Sequence, residues 1–538
     1  MRLPTKFGEH HASFTRFKNA GRKVVLTRTF MKNRLRRKIE ASRRTCHLVN
    51  EYMKYSTVHG VRYISHNKAT VFERGFWLLM LMLCFAAACL IAEILFQRYR
   101  AIPSVLAVKD THFPLYLFPF PTITICPANK VIKSRALEYL LRFVNGSTID
   151  EELEESMSNI MSALALMQQP LYYRMNPYIN ASQHMFPLFE TMNITDFMMT
   201  VLPTCRELFG RCVWSGQRID CCEIFSIQRT EEGFCYSFNS LTSEDGRHCP
   251  LSEVLENEGV VEEDDIMYPG CQLRRNTAVG ILTGLEVFLN KIPDEESLGK
   301  GQRDPHGVRV MVHTSYEYPR AGSGVWLQAV PSMRLSIMVQ PSIIVTSDAV
   351  KRLSVATRQC VFPDERQLRF YHVYTEKSCL IQCRIDHVIN KCNCTLYFFN
   401  LHEEVPECGL MDLACVVKHT RHLKFLTPPR NVPGFDFTFL NESLDCSHCQ
   451  TTCYETEHDL EVTFVPDSLP TAAMFYGYLD VAYGNLGATK YQRDITFTWI
   501  DLLVALGGVA NLFLGFSLIS VCEFLYWIFK ILKPFITK

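Results

Sequence analysis

The chain has 538 residues, of which 48% are hydrophobic and 22 are cysteine, and its formal net charge is +1. An aromatic content of 12% excludes an intrinsically disordered chain, because disordered segments are poor in the residues that build a core. The cysteine count argues against a cytosolic enzyme, since thiols stay reduced in that compartment.

The small net charge is the sum of regions that differ strongly. Residues 1–75 hold 18 Lys and Arg against four acidic residues, whereas residues 76–529 carry a net charge of −16. Three further lysines lie in residues 530–538. This distribution is typical of a chain that crosses a membrane, because basic residues are enriched on the cytoplasmic side.

The first long apolar segment is residues 75–96, which contain a single charged residue, Glu93. A helix of this length can cross a hydrocarbon core of ~30 Å at ~1.5 Å per residue. The basic residues before it predict that segment 1–74 is cytoplasmic. We therefore expect a transmembrane helix at 75–96, with a buried core helix as the alternative.

Residues 97–494 are expected to form a cysteine-rich extracellular domain. Eighteen of the cysteines lie there, an even number that is compatible with nine disulfides. Five glycosylation sequons also fall in this region, at Asn145, Asn180, Asn193, Asn393 and Asn441.

The second apolar segment is residues 495–529, followed by a short tail, 530–538, that we expect to be cytoplasmic. A straight helix of this length would extend ~50 Å, which exceeds the core thickness. A second transmembrane helix is therefore expected to break, and glycines offer two places, Gly507-Gly508 and Gly515-Phe516-Ser517. A single-span receptor, in which this segment is a core helix, is the alternative topology.

The Gly-Phe-Ser break can be interpreted in two ways. Extended backbone at Gly515–Ser517 would turn carbonyl oxygens toward a water-filled cavity, where several copies could replace a cation's hydration shell. Glu523 would then lie on an ion path or be paired, because an unpaired charge is costly there. Alternatively, Gly508 and Gly515 are seven residues apart and permit close helix packing. The sequence leaves both readings open.

Several motifs resemble the degenerin / epithelial sodium channel / acid-sensing ion channel superfamily. The segment LVALGGVANLFLGFSLISVCEF, residues 503–524, is similar to its second transmembrane segment. His59-Gly60 matches its gating motif, FPFPTITICP at residues 118–127 its post-membrane strand, and residues 379–453 its cysteine spacing. The adjacent Cys221-Cys222 and the LVALGG run look most like the arthropod pickpocket branch.

The resemblance implies a trimeric pore in which Gly515, Phe516 and Ser517 form the selectivity filter for permeating Na⁺. It implies no structural metal and no cofactor. The residues expected at the pore and its gate are His59, Gly60, Val504, Gly507, Gly508, Asn511 and Glu523. Val504 stands where the family usually has a small residue and Asn511 where it often has Gly, while Tyr526 replaces a second acidic residue.

The resemblance also implies a set of disulfides. The expected pairs are Cys126–Cys235, Cys205–Cys212, Cys360–Cys453, Cys379–Cys449, Cys383–Cys446, Cys392–Cys415 and Cys394–Cys408. The pairing of Cys221, Cys222, Cys249 and Cys271 stays open. A zinc site at Cys446-x-x-Cys449, with His448 and Cys392-x-Cys394, is the competing interpretation.

The predicted fold is two transmembrane helices with a large disulfide-rich α+β extracellular domain, assembled as a trimer. The predicted function is a sodium-permeable, amiloride-sensitive, ligand- or stimulus-gated channel of the plasma membrane, with both termini cytoplasmic. Its partners would be related subunits in a homotrimer or heterotrimer and membrane lipid, without nucleic acid. An ATP-gated trimeric channel and a non-conducting receptor or adhesion subunit are the alternatives. No enzyme motif is found.

Overall fold

The chain forms two compact units, one of residues Met1–Pro103 and Ile495–Lys538 and the other of Ser104–Asp494. The computed structural model describes residues 43–66, 69–101, 104–117, 119–144, 151–244, 273–298, 307–328, 333–371, 373–399, 405–428, 432–435, 440–466 and 475–536. Three predicted features, Asn145, Cys249 and Cys271, lie outside these residues, as does most of the basic segment at the start.

The helices and strands follow the chain in a mixed order. The helices are α1 (43–55), α2 (Val61–Ile64), α3 (Val71–Ala101), α4 (Lys133–Leu141), α5 (Glu151–Ala165), α6 (Asn176–Ser182), α7 (Ile194–Val201), α8 (Cys205–Leu208), α9 (Cys221–Ile224), α10 (Asp348–Lys351), α11 (Val355–Arg358), α12 (Glu376–Cys392), α13 (Leu413–Lys418), α14 (Thr420–Lys424), α15 (Trp499–Leu514) and α16 (Leu518–Ile536). The strands are β1 (Ser104–Pro114), β2 (Thr122–Pro127), β3 (Phe209–Trp214), β4 (Gln217–Ile219), β5 (Phe225–Thr230), β6 (Gly233–Phe238), β7 (Leu285–Leu289), β8 (Val308–His313), β9 (Val325–Leu327), β10 (Met333–Thr346), β11 (Glu455–Pro466), β12 (Gly477–Tyr483) and β13 (Gly487–Ile495).

The described residues of the unit formed by Met1–Pro103 and Ile495–Lys538 are mainly helical. Within it, α3 is long and apolar enough to cross a membrane, and α15 with α16 qualifies as a second crossing only if the bent pair is counted as one. The axes of that pair differ by 76°. In this unit α15 packs against α3.

The second apolar segment differs from its predicted form at its start. The helix begins at Trp499 rather than at residue 495, because β13 runs to Ile495 and Thr498 caps the helix. The Thr498 side chain accepts a hydrogen bond from the amide of Asp501, whose carboxylate accepts one from the Thr498 amide. This reciprocal capping box satisfies amides that a helix start leaves unpaired.

Only one of the two predicted glycine breaks is present. Helix α15 continues through Gly507 and Gly508, so the expectation of a break at that pair is wrong. Glycine lowers helix stability by only ~1 kcal/mol, which the flanking apolar residues can offset by packing. The chain interrupts its helical path at residues 515–517 instead.

Two β-sheets organise the Ser104–Asp494 unit. The larger has the strand order β1-β13-β10-β12-β7-β3-β4, and β11 also pairs with β10. Along one edge β10 is antiparallel to β11, whereas along the other it is parallel first to β12 and then to β13. The smaller sheet has the order β5-β6-β2-β8-β9. The unit is therefore α+β, with its helices lying between the strands in sequence.

The core of this unit is aromatic and aliphatic. Strands β2 and β12 are buried along their whole length. Phe120 lies between the sheets and contacts the rings of Trp214 and Tyr483 edge-on, with centroids 4.9 and 5.1 Å away. Such edge-to-face pairs add to the stabilisation that burial alone gives.

Eight disulfides join residues of the described part of this unit. They are Cys126–Cys235, Cys205–Cys222, Cys212–Cys221, Cys360–Cys453, Cys379–Cys449, Cys383–Cys446, Cys392–Cys415 and Cys394–Cys408. The expected pair Cys205–Cys212 is wrong. Cys205 bonds instead to Cys222, and Cys212 bonds to Cys221. The side chains of Cys221 and Cys222 project about 100° apart at the start of α9, so each reaches a different partner.

The cysteine pairing also excludes the competing zinc interpretation. Cys446, Cys449, Cys392 and Cys394 are all in disulfides and therefore present no thiolate to a metal. Among the predicted glycosylation positions that the structure describes, the asparagines are exposed, namely Asn180, Asn193, Asn393 and Asn441. Asn193 also caps α7 through its side-chain oxygen, which leaves its amide nitrogen for a glycan.

Candidate pore and gating site

The His59-Gly60 dipeptide lies at a sharp turn between α1 and α2. Gly60 has φ +84° and forms the N-cap of α2, a left-handed conformation that glycine adopts without steric cost. Directly after the turn, the ring of Tyr63 stacks on Trp77 of α3 with centroids 4.5 Å apart. The turn therefore brings α2 alongside the first apolar helix.

The Gly-Phe-Ser tripeptide separates α15 from α16. Gly515 has φ +61° and ψ +27°, which is a left-handed conformation. The extended backbone that the sequence predicts at this residue is therefore not present. Its amide donates to the carbonyl of Asn511 at 2.9 Å, a common way of ending a helix. The bend arises because a left-handed residue cannot continue a right-handed helix.

The two motifs contact each other within this unit. The amide of His59 donates a hydrogen bond of 2.9 Å to the carbonyl of Leu514. A Cβ added to Gly515 would lie 2.5 Å from Cδ2 of the His59 ring, well inside van der Waals contact. The turn at Gly60 thus presents a donor to a carbonyl that the helix break has freed.

A polar network continues from the break along α16. The Ser517 hydroxyl accepts from the amide of Ser520 at 3.3 Å, which caps the start of this helix. Ser520 is 2% exposed, and its hydroxyl lies 2.8 Å from that of Thr57. The Thr57 hydroxyl donates to Glu523 Oε2 at 2.8 Å, and the Thr57 amide lies 3.3 Å from the same oxygen. Glu523 is therefore paired by hydrogen bonds.

Helix α1 lies along the middle of α16. Tyr52 contacts the rings of Phe524 and Trp527 at centroid distances of 6.1 and 6.2 Å. Lys530 forms an ion pair of 3.7 Å with Glu51 and lies 4.3 Å from the centre of the Trp527 ring. These contacts hold the segment that carries Thr57 and His59 against the helix that carries Glu523.

The remaining predicted pore residues lie on α15, away from this network. Val504 is 68% exposed in the isolated chain, and a Cβ at Gly507 or Gly508 would meet nothing within 4 Å. The side chain of Asn511 is also exposed. The structure thus brings together His59, Gly60, Gly515, Ser517 and Glu523, but not these residues of α15.

Two residues of the network, Thr57 and Ser520, are absent from the sequence-based prediction. A signal for Ser520 exists in the Ser517-x-x-Ser520 spacing, which is typical of a helix cap. Thr57 carries no comparable signal, since a threonine two residues before a His-Gly pair has many ordinary explanations. Only its hydrogen bond with Glu523 in the folded chain identifies Thr57 as part of the network.

Known proteins with similar sequences point to one family. The sequence profile of the family described as "Amiloride-sensitive sodium channel" matches residues 52–527. The chain is 25% identical to the sodium channel protein Nach of Drosophila melanogaster, with 90% of this chain and 87% of the relative covered. It is 24% identical to pickpocket protein 19 of the same fly, covering 90% of each, and 20% identical to acid-sensing ion channel 1 of Gallus gallus, covering 90% and 84%.

The family match includes both halves of the site. Residues 52–527 contain the His59-Gly60 turn, the disulfide-bonded unit and the network around Glu523. The fly relatives include both Nach and pickpocket proteins, which supports the pickpocket branch. The chain belongs to the amiloride-sensitive sodium channel family.

Proposed function

We propose that this chain is a subunit of a sodium-permeable, stimulus-gated cation channel of the plasma membrane. The contact of the His59 segment with Leu514 and Gly515 at the break between α15 and α16 carries the proposal. Backbone groups freed inside a membrane must find protein partners or line a water-filled cavity. One of the freed carbonyls has such a partner, and those beside it would be available to a permeating cation.

The proposed topology has two spans, α3 and the bent pair α15–α16, with both termini cytoplasmic. The distribution of cysteines supports it. Every disulfide among the described residues lies in the Ser104–Asp494 unit, whereas the free cysteines, Cys46, Cys84, Cys89 and Cys522, all lie in the other unit. Disulfides persist in an oxidising exterior, so this division matches an extracellular domain on membrane-embedded helices.

The proposed pore is built from three related chains, either identical or mixed. Gly515, Phe516 and Ser517 of each would form its narrow ring, and Na⁺ would exchange part of its hydration shell for their oxygens. Glu523 would contribute negative charge on one side of that ring, with its position fixed by Thr57. Relatives named as sodium and acid-sensing channels support ion transport over catalysis, so we propose no enzymatic activity.

Electrical recording tests the proposal. The chain is expressed in oocytes, alone and together with a related subunit, and current is measured in Na⁺ and then in K⁺, with and without amiloride. We expect a larger inward current in Na⁺ and block by amiloride. Gly515→Arg should abolish the current while leaving surface labelling of the extracellular unit unchanged, because the arginine would fill the break.

Co-expression of wild type and Gly515→Arg tests whether three chains form one pore. Expressing wild type and Gly515→Arg in equal amounts should leave about one-eighth of the wild-type current, since only assemblies with three intact copies would conduct. Current that survives in Gly515→Arg alone would contradict the filter assignment. A surface-expressed chain that passes no current under any of these conditions would favour the receptor or adhesion alternative.

A further inference from the structure

Three histidines lie together in the Ser104–Asp494 unit, outside the site described above. His387 is on α12, His419 immediately precedes α14, and His422 lies within α14. One ring nitrogen of each lies within 4.8 Å of those that the other two offer. The ring centroids are 5.3, 5.4 and 5.7 Å apart. Residues distant in sequence therefore place three imidazoles around one point.

Each ring has a buried nitrogen without a partner. Nε2 of His387, Nδ1 of His419 and Nδ1 of His422 are buried and form no hydrogen bond with the protein. Most buried polar atoms in native proteins are hydrogen-bonded, and a group that is not requires a reason. Three imidazoles with such nitrogens in one cluster are a set of donors that a metal ion can use.

We propose that His387, His419 and His422 bind a Zn²⁺ ion through one imidazole nitrogen each. Three protein ligands and one open position are an established composition for zinc. Tetrahedral bonds of 2.0–2.1 Å place ligand nitrogens about 3.4 Å apart. The ring nitrogens that the three residues offer lie within 4.8 Å of one another, so the longest of these distances has to shorten by at most about 1.4 Å on metal binding.

Lysines near the cluster oppose the binding of a cation. Lys391 interacts electrostatically with His387 and His419, and Lys418 with His419. Their charges make the site weaker than it would be without them.

The position of the cluster gives the metal a structural consequence. The disulfide Cys392–Cys415 already joins α12 to α13. A zinc ion on the three histidines would join α12 to α14, which follows α13 directly. The metal would therefore add a second cross-link to this helical region and stabilise its folded form by binding it selectively. The sequence had led us to expect no structural metal here.

Direct binding measurements on the purified full-length protein test this inference. The protein is isolated in detergent through a tag that contains no histidine and dialysed against increasing Zn²⁺, and bound metal is quantified per chain. Single variants His387→Gln, His419→Gln and His422→Gln are compared with His448→Gln, which removes an exposed histidine elsewhere in the unit. Co²⁺ then serves as a spectroscopic probe, with Ca²⁺ as the oxygen-preferring control.

We expect the wild type and His448→Gln to bind one Zn²⁺ more per chain than the three cluster variants. Loss of one ligand should weaken that site by more than the ~10–100-fold that loss of an outer-shell partner costs. Zn²⁺ should raise the melting temperature of the wild type but not of the variants, and Co²⁺ should give tetrahedral visible bands only where the cluster is intact. Ca²⁺ should have neither effect.

Two results would overturn the inference. One is a wild type that binds no more Zn²⁺ than His387→Gln. The other is a melting temperature that Zn²⁺ raises equally in wild type and in all three cluster variants. Size-exclusion profiles and disulfide content, measured without metal, show whether each variant folds. Because three independent substitutions are used, a single variant that does not fold leaves the comparison intact.

Discussion

The imidazole of His59 occupies the space into which a side chain at Gly515 would have to extend. A Cβ at that position would lie 2.5 Å from Cδ2, 2.6 Å from Cε1 and 2.6 Å from Cγ of the ring. Gly515 is also left-handed, with φ +61°. Two separate requirements, conformation and space, therefore select glycine at the break between α15 and α16.

This contact predicts that Gly515→Ala removes most of the channel current. The left-handed conformation costs a residue other than glycine ~1–2 kcal/mol, and the clash with His59 adds to it. A destabilisation of the bent conformation by ~1.4 kcal/mol lowers its population about tenfold. We therefore expect the current, normalised to the amount of protein at the surface, to fall at least about tenfold. The measurement is two-electrode recording normalised to surface labelling.

The matched control is Gly75→Ala, within α3, where a Cβ would meet nothing within 4 Å. It should retain the wild-type current. A double variant, His59→Ala with Gly515→Ala, removes the clash but not the conformational strain, and should recover part of the current. Wild-type current from Gly515→Ala would show that the His59 contact does not constrain the break.

The hydrogen bond between Thr57 and Glu523 predicts an energetic coupling between the two ends of the chain. Thr57→Val removes the hydroxyl that donates to the carboxylate at 2.8 Å. We expect a double-mutant cycle with Glu523→Gln to give a coupling of about 0.5–1.5 kcal/mol in thermal stability. Melting of the detergent-solubilised protein provides the measurement.

Thr57→Ser is the control, because serine retains the hydroxyl and should preserve the coupling. A coupling within about 0.3 kcal/mol of zero would show that the two residues act independently. The same variants can be recorded electrically. Because the carboxylate loses its fixed position, Thr57→Val should change the conductance, whereas Thr57→Ser should not.

The corrected disulfides predict which pairs of cysteines can be removed together. Cys205→Ser with Cys222→Ser deletes one whole bridge and leaves Cys212–Cys221 intact. Cys205→Ser with Cys212→Ser instead leaves both cysteines of α9 without partners. We expect the first double variant to reach the surface at higher levels than the second. Each bridge closes a short loop and contributes on the order of 3 kcal/mol.

Peptide mapping without reduction checks the pairing directly. Digests of the wild type should contain fragments linked through Cys205–Cys222 and Cys212–Cys221. A fragment linked through Cys205–Cys212 would restore the pairing expected from the family resemblance and contradict the one described here.

Buried Asp480 predicts a pH-dependent stability of the large sheet. Burial raises the pKa of Asp480 from 3.8 to about 6, and Glu286 acts in the same direction, against the Leu282 amide and Arg334. The folded state therefore holds this proton more tightly than the unfolded state. The resulting stability is complete below pH ~4 and is lost as the pH rises through 6.

Asp480→Asn should remove that loss, because the amide stays neutral and can still accept from the Leu282 amide. We expect it to stabilise the protein at pH 7.5 by at most about 2–3 kcal/mol. At pH 4 the gain should vanish, since aspartate is then protonated in the folded wild type. Melting temperatures at the two pH values provide the measurement, and an equal gain at both would contradict the assignment.

The sequence predicted features that depend on local composition and spacing. An apolar run of 22 residues, a second one with a Gly-x-Ser break, and an acidic cysteine-rich region between them are visible in the printed chain. The break at Gly515 was identified because glycine after a run of helix formers is a local signal. The family resemblance rested on the same local motifs.

Tertiary structure decided what depends on which distant residues meet. The sequence alone does not show which partner Cys221 and Cys222 each bond to. That pairing depends on how α8, β3 and α9 approach one another in the folded chain. Thr57 gained a role only through its contact with Glu523. His387 joined His419 and His422 only through the packing of α12 against the segment that follows it.

Chain order and composition thus predicted by themselves a disulfide-rich membrane protein with a glycine break in its last apolar segment. Only the tertiary structure decided that His59 fills the space beside that break and that Thr57 holds Glu523. The physical reason is that helix breaks and apolar runs are properties of neighbouring residues. A steric contact or hydrogen bond between residues more than 400 positions apart exists only after the chain has folded.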